Sequence, residues 1–253
     1  MKQMNRWFTR YLYGLQNGVE QDPKSWVVRE GATRGNPESY PDYPHPEAAA
    51  VTLRPNPGGV TAGALTLSTP DAKPAERQLE SLIDNFSFSG AILAKADWTN
   101  HRLLYTTPEL KEPLHLSGTA RIRIRLSSSQ PAANLSVWLV SLPWTDSRLI
   151  TDDVITRGWA DPQNHRSLTE SDSLTPGQFY DLNFTLQPDD QIVKAGEKIG
   201  LMIFSSDRDF TLWPDPGTIL TVDLNQTQLD LPVVGGTAAF QQAFKGTPTE
   251  PAK

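Results

Sequence analysis

A mainly β architecture, a jelly-roll-type β-sandwich led by one amphipathic helix, is what this sequence predicts, and three observations predict it. From about residue 100 the apolar residues recur with period two. In GTARIRIRL (118–126), Ala120, Ile122, Ile124 and Leu126 alternate with Arg121, Arg123 and Arg125, which puts one strand face in a core and the other in water or at an interface. The runs NLSVWLVSL (134–142) and KIGLMIFSS (198–206) are apolar on both faces, as central strands are. Finally, 21 prolines and 17 glycines are spread along the 253 residues and cut them into short segments rich in turns.

The first element is the exception to the β pattern. Met4, Trp7, Phe8, Tyr11, Leu12 and Leu15 follow the i, i+3, i+4, i+7 spacing of an amphipathic helix, while Arg6, Arg10 and Tyr13 lie off that stripe. Gly14 and the Asn17-Gly18 pair supply its stop. No Ser, Thr, Asp or Asn cap precedes the apolar face.

SWVVRE (25–30) then reads as a short strand, TRGNPESYPDYPHPE (33–47) as a proline-broken loop and AVTLRP (50–55) as a second strand. Residues 56–75 read as an exposed connection, and AERQLESLIDNF (75–86) has weak helical spacing through Leu79, Leu82 and Ile83. Further strands are expected at FYDLNFTL (179–186), GTILTVDL (217–224) and TQLDLPVV (227–234), the last two as a closing pair. This divides the chain into a helix (1–20), lead-in strands and connection (21–100), the main body of the sandwich (101–236) and a flexible tail (237–253) that ends in GTPTEPAK (246–253).

A net charge of −6 argues against nucleic acid as a partner, because phosphate binding needs a basic surface. No apolar run is long enough to suggest a membrane span. The N-terminus lacks the apolar region and small-residue cleavage site of a secretory signal. Zero cysteines exclude disulfides, thiolate catalysis and Cys-ligated zinc, and a cytoplasmic location fits this composition.

The residues that look most like catalytic machinery are HRSLTESD (165–172), with a histidine, two serines and two carboxylates in eight residues. A triad needs its members to converge from rigid structure within hydrogen-bond reach, whereas neighbours in one polar loop point apart and stay solvated. The loop reading is therefore favoured. GATRG (31–35) offers Thr33 in a nucleophile-elbow slot, without the strand that such an elbow follows. His45, His101, His115 and His165 are too widely spaced in sequence for the close pairing usual in histidine metal sites. The acidic clusters TDD (151–153), PDD (188–190) and SDRD (206–209) could hold calcium, but solvated turns are the commoner reason for them. No catalytic, cofactor or metal residue is assigned.

Two surface features remain. The Arg121/Arg123/Arg125 stripe is either a solvated strand face or a docking surface for an acidic partner. Trp98, Trp144, Trp159 and Trp213 sit in turn-like segments, where exposed indoles could stack on sugars, although packing is the commoner use of tryptophan.

The segments LLYTTPELKEPLHLSGTARIRIRLSSSQPAANLSVWLV (103–140), VITRGWADPQNHRSL (154–168) and YDLNFTLQPDDQIVKAGEKIGLMIFSSDRDFTLWPDPG (180–217) resemble the C-terminal jelly-roll domain of X-prolyl dipeptidyl peptidases. That domain is shared with cocaine-esterase-like and amino-acid-ester hydrolases. The opening MNRWFTRYLYGLQNG (4–18) is similar to the helix that follows the catalytic histidine in those enzymes.

The resemblance implies a serine exopeptidase that releases X-Pro dipeptides from peptide N-termini. Its Ser, Asp and His all precede the matched segment, so no residue here aligns with the triad. On this reading the chain begins shortly after that histidine, which accounts for the uncapped helix. The expected role is structural, beside an absent α/β-hydrolase domain, and the resemblance also allows a homodimer of the parent enzyme. Met4, Trp7, Phe8, Tyr11, Leu12 and Leu15, with Arg121, Arg123 and Arg125, are the expected docking residues. The rival reading is a free-standing carbohydrate-binding module. A complete small esterase is disfavoured because no nucleophile elbow is set in alternating strands and helices.

Overall fold

The computed structural model describes residues 2–29, 37–68, 76–149, 152–214 and 216–245. The proposed elbow at 31–35 and the terminal GTPTEPAK lie outside the described residues.

Helix α1 spans Lys2–Tyr13. Gly14 ends it in the left-handed conformation (φ 71°), and the Leu15 amide donates back to the Thr9 carbonyl at 3.2 Å, closing the last turn. Its polar side folds onto the next few residues. Arg6 donates to Asp22 at 2.6 Å, Arg10 pairs with Glu20, and the Asn17 amide donates to the Arg6 carbonyl at 2.6 Å. A two-stranded antiparallel sheet follows, β1 (Ser25–Val27) with β2 (Glu38–Tyr40).

The remaining strands form a continuous 12-stranded system folded into two layers. They are β3 (Ala48–Pro55), β4 (Gly63–Leu67), β5 (Leu79–Ile83), β6 (Arg102–Thr106), β7 (Leu114–Gly118), β8 (Arg121–Ser128) and β9 (Leu135–Leu142), then β10 (Val154–Ala160), β11 (Phe179–Thr185), β12 (Asp189–Val193), β13 (Lys198–Phe204) and β14 (Ile219–Val234). One layer runs β10-β9-β13-β6; the other is organised around β14, which pairs with β3, β5, β7 and β8. β4 joins the layers, antiparallel to β3 and parallel to β6.

The period-two reading of β8 matches this arrangement. Ile122, Ile124 and Leu126 face the main core, together with Leu220, Val222, Leu229, Leu231 and Val233 of β14. β9 and β13 are apolar on both faces because each contributes to two cores. Leu135, Val137, Leu139, Ile199, Leu201 and Ile203 face inward, while Trp138, Val140, Met202 and Phe204 face outward. A short helix, α2 (Gly90–Lys95), covers that outer face with Leu93 and Ala94. Its far end is held by Arg102, a fully buried cation. Arg102 donates to the carbonyls of Leu93 (3.1 Å), Ala96 (2.6 Å), Gly59 (2.7 Å) and Thr61 (2.8 Å). Burial pulls its pKa down to about 10, which still leaves it charged at neutral pH.

Six expectations need correction. The proline-broken loop 33–47 contains strand β2, and the exposed connection 56–75 contains strand β4, which buries Leu65 in the core. Residues 79–83 are strand β5, not helix: pairing with β14 outweighs a spacing that suits both structures. The expected closing pair 217–224 and 227–234 is one strand, β14, which passes through an irregularity between Asp223 and Gln228. At that irregularity the Thr227 hydroxyl donates to the Asp223 carbonyl at 2.8 Å. The lead-in is not separate from the sandwich, because β3, β4 and β5 belong to its sheets. The tail does not begin at 237: helix α3 (Gly236–Lys245) buries Phe240 and Ala243 against the core.

Candidate docking surface

With its polar side tied to residues 17–22, α1 turns its apolar stripe outward. Met4, Trp7, Phe8, Tyr11, Leu12 and Leu15 are all exposed, from 43% for Phe8 to 70% for Leu12. Trp7 packs only locally, edge-on to Phe8 (5.5 Å) and tilted against Tyr11 (4.7 Å). Five large apolar side chains on one helix face, with Leu15 just past its end, make a patch of the kind that marks an interaction site.

The arginine stripe has a different character. Arg125 donates to Asp181 at 2.7 Å, Arg123 to Asp230 at 3.3 Å, and Arg121 to Asn183 at 3.4 Å, all across strand neighbours. Each arginine lies in register between β11 and β14, so the stripe is largely neutralised within its own sheet. An acidic partner docking there would have to compete with Asp181 and Asp230.

HRSLTESD does not converge. His165 sets Nδ1 3.2 Å from the Pro162 carbonyl and packs its ring against Tyr180, while Ser167 pairs with Thr169 and Arg166 with Asp172. A cluster that sequence spacing hid lies elsewhere. Asp190 is buried, and its Oδ1 accepts from Arg29 Nε (3.0 Å) and the Tyr40 hydroxyl (3.2 Å), with His115 Nε2 at 3.0 Å. Arg29 also pairs with Glu38, and the His45 ring packs edge-on to that of His115 at 5.6 Å.

Burial pushes the Asp190 carboxyl up, but hydrogen bonds from its neighbours, His115 first, outweigh this and hold it at about 2. Ser117 stands two residues from His115 but is fully buried, and its hydroxyl accepts from the His45 amide at 2.9 Å. The cluster ties the β1–β2 hairpin to β7 and β12; it does not present a nucleophile.

The acidic clusters are also not simply solvated turns. Asp153, Asp190 and Asp207 are buried. Asp153 accepts from the Thr145 amide and hydroxyl at 2.6 and 2.8 Å, and Asp207 accepts from the indoles of Trp138 and Trp159 at 2.9 and 3.0 Å. The partner of Asp153 lies eight residues away in the same connection, whereas those of Asp190 and Asp207 lie on distant strands and loops, which local sequence could not reveal. Among the described residues, no three His, Asp or Glu side chains are grouped to hold a metal ion, and no helix is long and apolar enough to cross a membrane.

Of the four turn tryptophans, Trp144 packs against the outer-face core and Trp98 is exposed. Trp159 and Trp213 lie in stacked pairs with Phe210 and Phe86, and both spend their indole N–H inside the protein, on Asp207 and on the Arg208 carbonyl.

This geometry has close counterparts. Residues 17–249 match the family described as the X-Pro dipeptidyl-peptidase C-terminal non-catalytic domain. A putative Xaa-Pro dipeptidyl-peptidase of Rhodopirellula baltica is 60% identical over 240 residues, which cover 94% of this chain and 38% of that protein. The chain thus spans little more than a third of the length of such relatives. Among solved structures, a CocE/NonD family hydrolase from Staphylococcus aureus superposes with a TM-score of 0.67 at 14% identity, over 92% of this chain and 45% of that one. An α-amino acid ester hydrolase gives 0.61 at 15% identity, over 91% and 44%. These two show a shared fold. The 60% relative and the match from 17 to 249 show more: the protein belongs to the family of X-Pro dipeptidyl-peptidase C-terminal non-catalytic domains.

Proposed function

We propose that this β-sandwich is the companion of an α/β-hydrolase catalytic domain in an Xaa-Pro dipeptidyl-peptidase, and that it docks there through the apolar stripe of α1. The observation that carries the reading is the orientation of that helix. Its polar side is ion-paired to its own chain, and six large apolar residues are left facing water. Full burial of one such side chain is worth about 1.5–3 kcal/mol, so a partner that covers even the remaining half of each gains substantially. The peptidase chemistry, a serine nucleophile acting on peptides with proline second, belongs on this reading to the catalytic domain. The sandwich supplies a rigid wall beside it. A cytoplasmic location is part of the same proposal, and a chain without cysteine needs no oxidising compartment.

The test is reconstitution. The region of the Rhodopirellula baltica relative outside its match to this chain is expressed separately and titrated with this chain by calorimetry. Saturable binding is expected, weakened at least tenfold by Leu12→Asp or Trp7→Ser. Unchanged affinity in both variants would remove α1 from the interface.

A further inference from the structure

A second exposed apolar surface lies at one end of the sandwich, on the loop that follows β13. Its base is fixed by more hydrogen bonds than a solvent loop needs. Asp84 accepts from the Ser206 amide and hydroxyl, both at 2.9 Å. Asp207, fully buried, holds the two indoles of Trp138 and Trp159, and its carbonyl accepts the amides of Phe210 (3.0 Å) and Thr211 (2.9 Å). Asn134 donates to the Leu212 carbonyl at 2.9 Å.

On this base the tip holds Phe210, Leu212 and Trp213 outward, at 51%, 85% and 58% exposure. Trp213 lies flat against Phe86 (5.4 Å, 3° between planes), and Phe210 lies against Trp159 at 4.9 Å. Arg157 completes the ledge. Its guanidinium sits 4.3 Å from the Phe210 ring, and among the described residues it makes no ion pair. Large apolar side chains held in place before a partner arrives lose little further entropy on binding, and aromatic residues with an arginine are the usual composition of an interface centre.

The chemistry of the ledge also selects its occupant. A sugar or an extended peptide is recognised by hydrogen bonds as well as by stacking, and the indole N–H groups of Trp159 and Trp213 are already committed internally. What remains on offer is apolar area flanked by charge, from Arg157 and from the exposed Arg208 and Asp209 of the same loop, which suits a folded protein surface. The relatives carry well over half of their length outside the region matched here, which provides such a partner.

We infer that the Phe210–Trp213 ledge is a second docking surface for the catalytic domain, receiving an apolar face that sets a carboxylate against Arg157. This rests on the companion-domain reading but uses residues separate from α1.

The experiment is the same calorimetric titration, with variants in the ledge. Leu212 contributes little to its own fold at its exposure, so Leu212→Asp tests docking without unfolding the domain, as a melting curve on the same sample verifies. Leu212→Asp is expected to weaken binding at least tenfold, Arg157→Gln about threefold, and the pair Phe210→Ser with Trp213→Ser more than either. Affinity within twofold of the parent in Leu212→Asp and in the Phe210/Trp213 pair overturns the ledge; if Leu12→Asp still weakens binding, the companion reading survives without it. Weakening by ledge variants alone removes α1 and keeps the ledge. No binding by the unaltered chain removes both. The ledge is also overturned if Leu212→Asp abolishes self-association of the chain alone, which makes a second copy the occupant. Saturable tryptophan quenching by an oligosaccharide or a polyproline peptide, lost in Trp213→Ser, overturns it as well.

Discussion

His115 Nε2 stands 3.0 Å from Asp190 Oδ1, joining β7 to β12 at the point where Arg29 and Tyr40 reach in from the β1–β2 hairpin. Of the ionisable groups in the cluster, Asp190 dominates the acid response, because its folded pKa of about 2 lies below its ordinary value of 3.8. A depressed carboxylate contributes stability that is fully present above the unfolded pKa and is lost as pH falls through the folded one. The window is therefore from about pH 4 down to about pH 2, and the contribution is on the order of 2 kcal/mol. Denaturant unfolding of Asp190→Asn should show a deficit of at least that size at pH 7, shrinking towards pH 2. A deficit independent of pH would mean that packing, not charge, is what Asp190 supplies.

Gly90 begins α2 against the Trp138 ring, where an added Cβ would come within 2.2 Å of the indole. Neither the helix backbone nor a buried indole that also donates to Asp207 has room to move. Gly90→Ala should destabilise the domain by about 1–3 kcal/mol, the range for overpacking a filled core. Thermal melts would show this, with near-ultraviolet circular dichroism reporting the disturbed Trp138.

The sequence made the β class legible because β8 obeys period two without interruption, and the core accepts Ile122, Ile124 and Leu126 as that period requires. It also identified β9 and β13 as central, though not what covers them: α2 is only six residues long and has no amphipathic period of its own to read. β5 was ambiguous, since Leu79, Leu82 and Ile83 suit a helix, and only pairing with β14 decides otherwise. Residues 217–224 and 227–234 read as two strands, but β14 runs through both with a local irregularity between Asp223 and Gln228.

The α1 stripe was readable because a helix face is written in local spacing. The Asp190 cluster was not, because its members come from distant segments that only the fold brings together; of the ledge, the turn tryptophans Trp159 and Trp213 were readable, but not the placing of Phe86, Trp159 and Arg157 beside the 210–213 run.

Arg102 tests how much one buried cation organises around itself. Its four carbonyl partners lie on α2, on the residue after it and on the 59–61 loop; Arg102→Met would strip the buried Leu93 carbonyl and the partly exposed Ala96 and Thr61 carbonyls of this donor, while Gly59 would keep the Leu104 amide. Leaving buried acceptors without donors costs about 1–3 kcal/mol for each group that water cannot reach. A loss of about 3 kcal/mol or more is expected in chemical denaturation. Arg102→Lys should recover only part of it, since an ammonium has three donors and no planar fork. Full recovery by lysine would show that charge alone, not the spread of the guanidinium, holds the two segments.

The α1 stripe predicts a separation of stability from association. Trp7, Leu12 and Leu15 contribute little to the core, so Leu12→Asp should shift the melting temperature of the isolated chain by no more than about 1 °C, as exposed substitutions do. The same change should lower the affinity for the catalytic region at least tenfold. Arg6→Ala should behave differently: it removes the ion pair to Asp22 and the contact to the Asn17 carbonyl, and so loosens the helix from residues 17–22. An exposed ion pair contributes only about 0.2–1 kcal/mol, so the domain should remain folded. The helix, however, would no longer be held with its stripe outward, and binding should weaken through a less favourable entropy. Calorimetry of the two variants would read Leu12→Asp as lost contact and Arg6→Ala as lost preorganisation. Equal enthalpy and entropy changes in both would argue that the polar side of α1 has no part in presenting the apolar one.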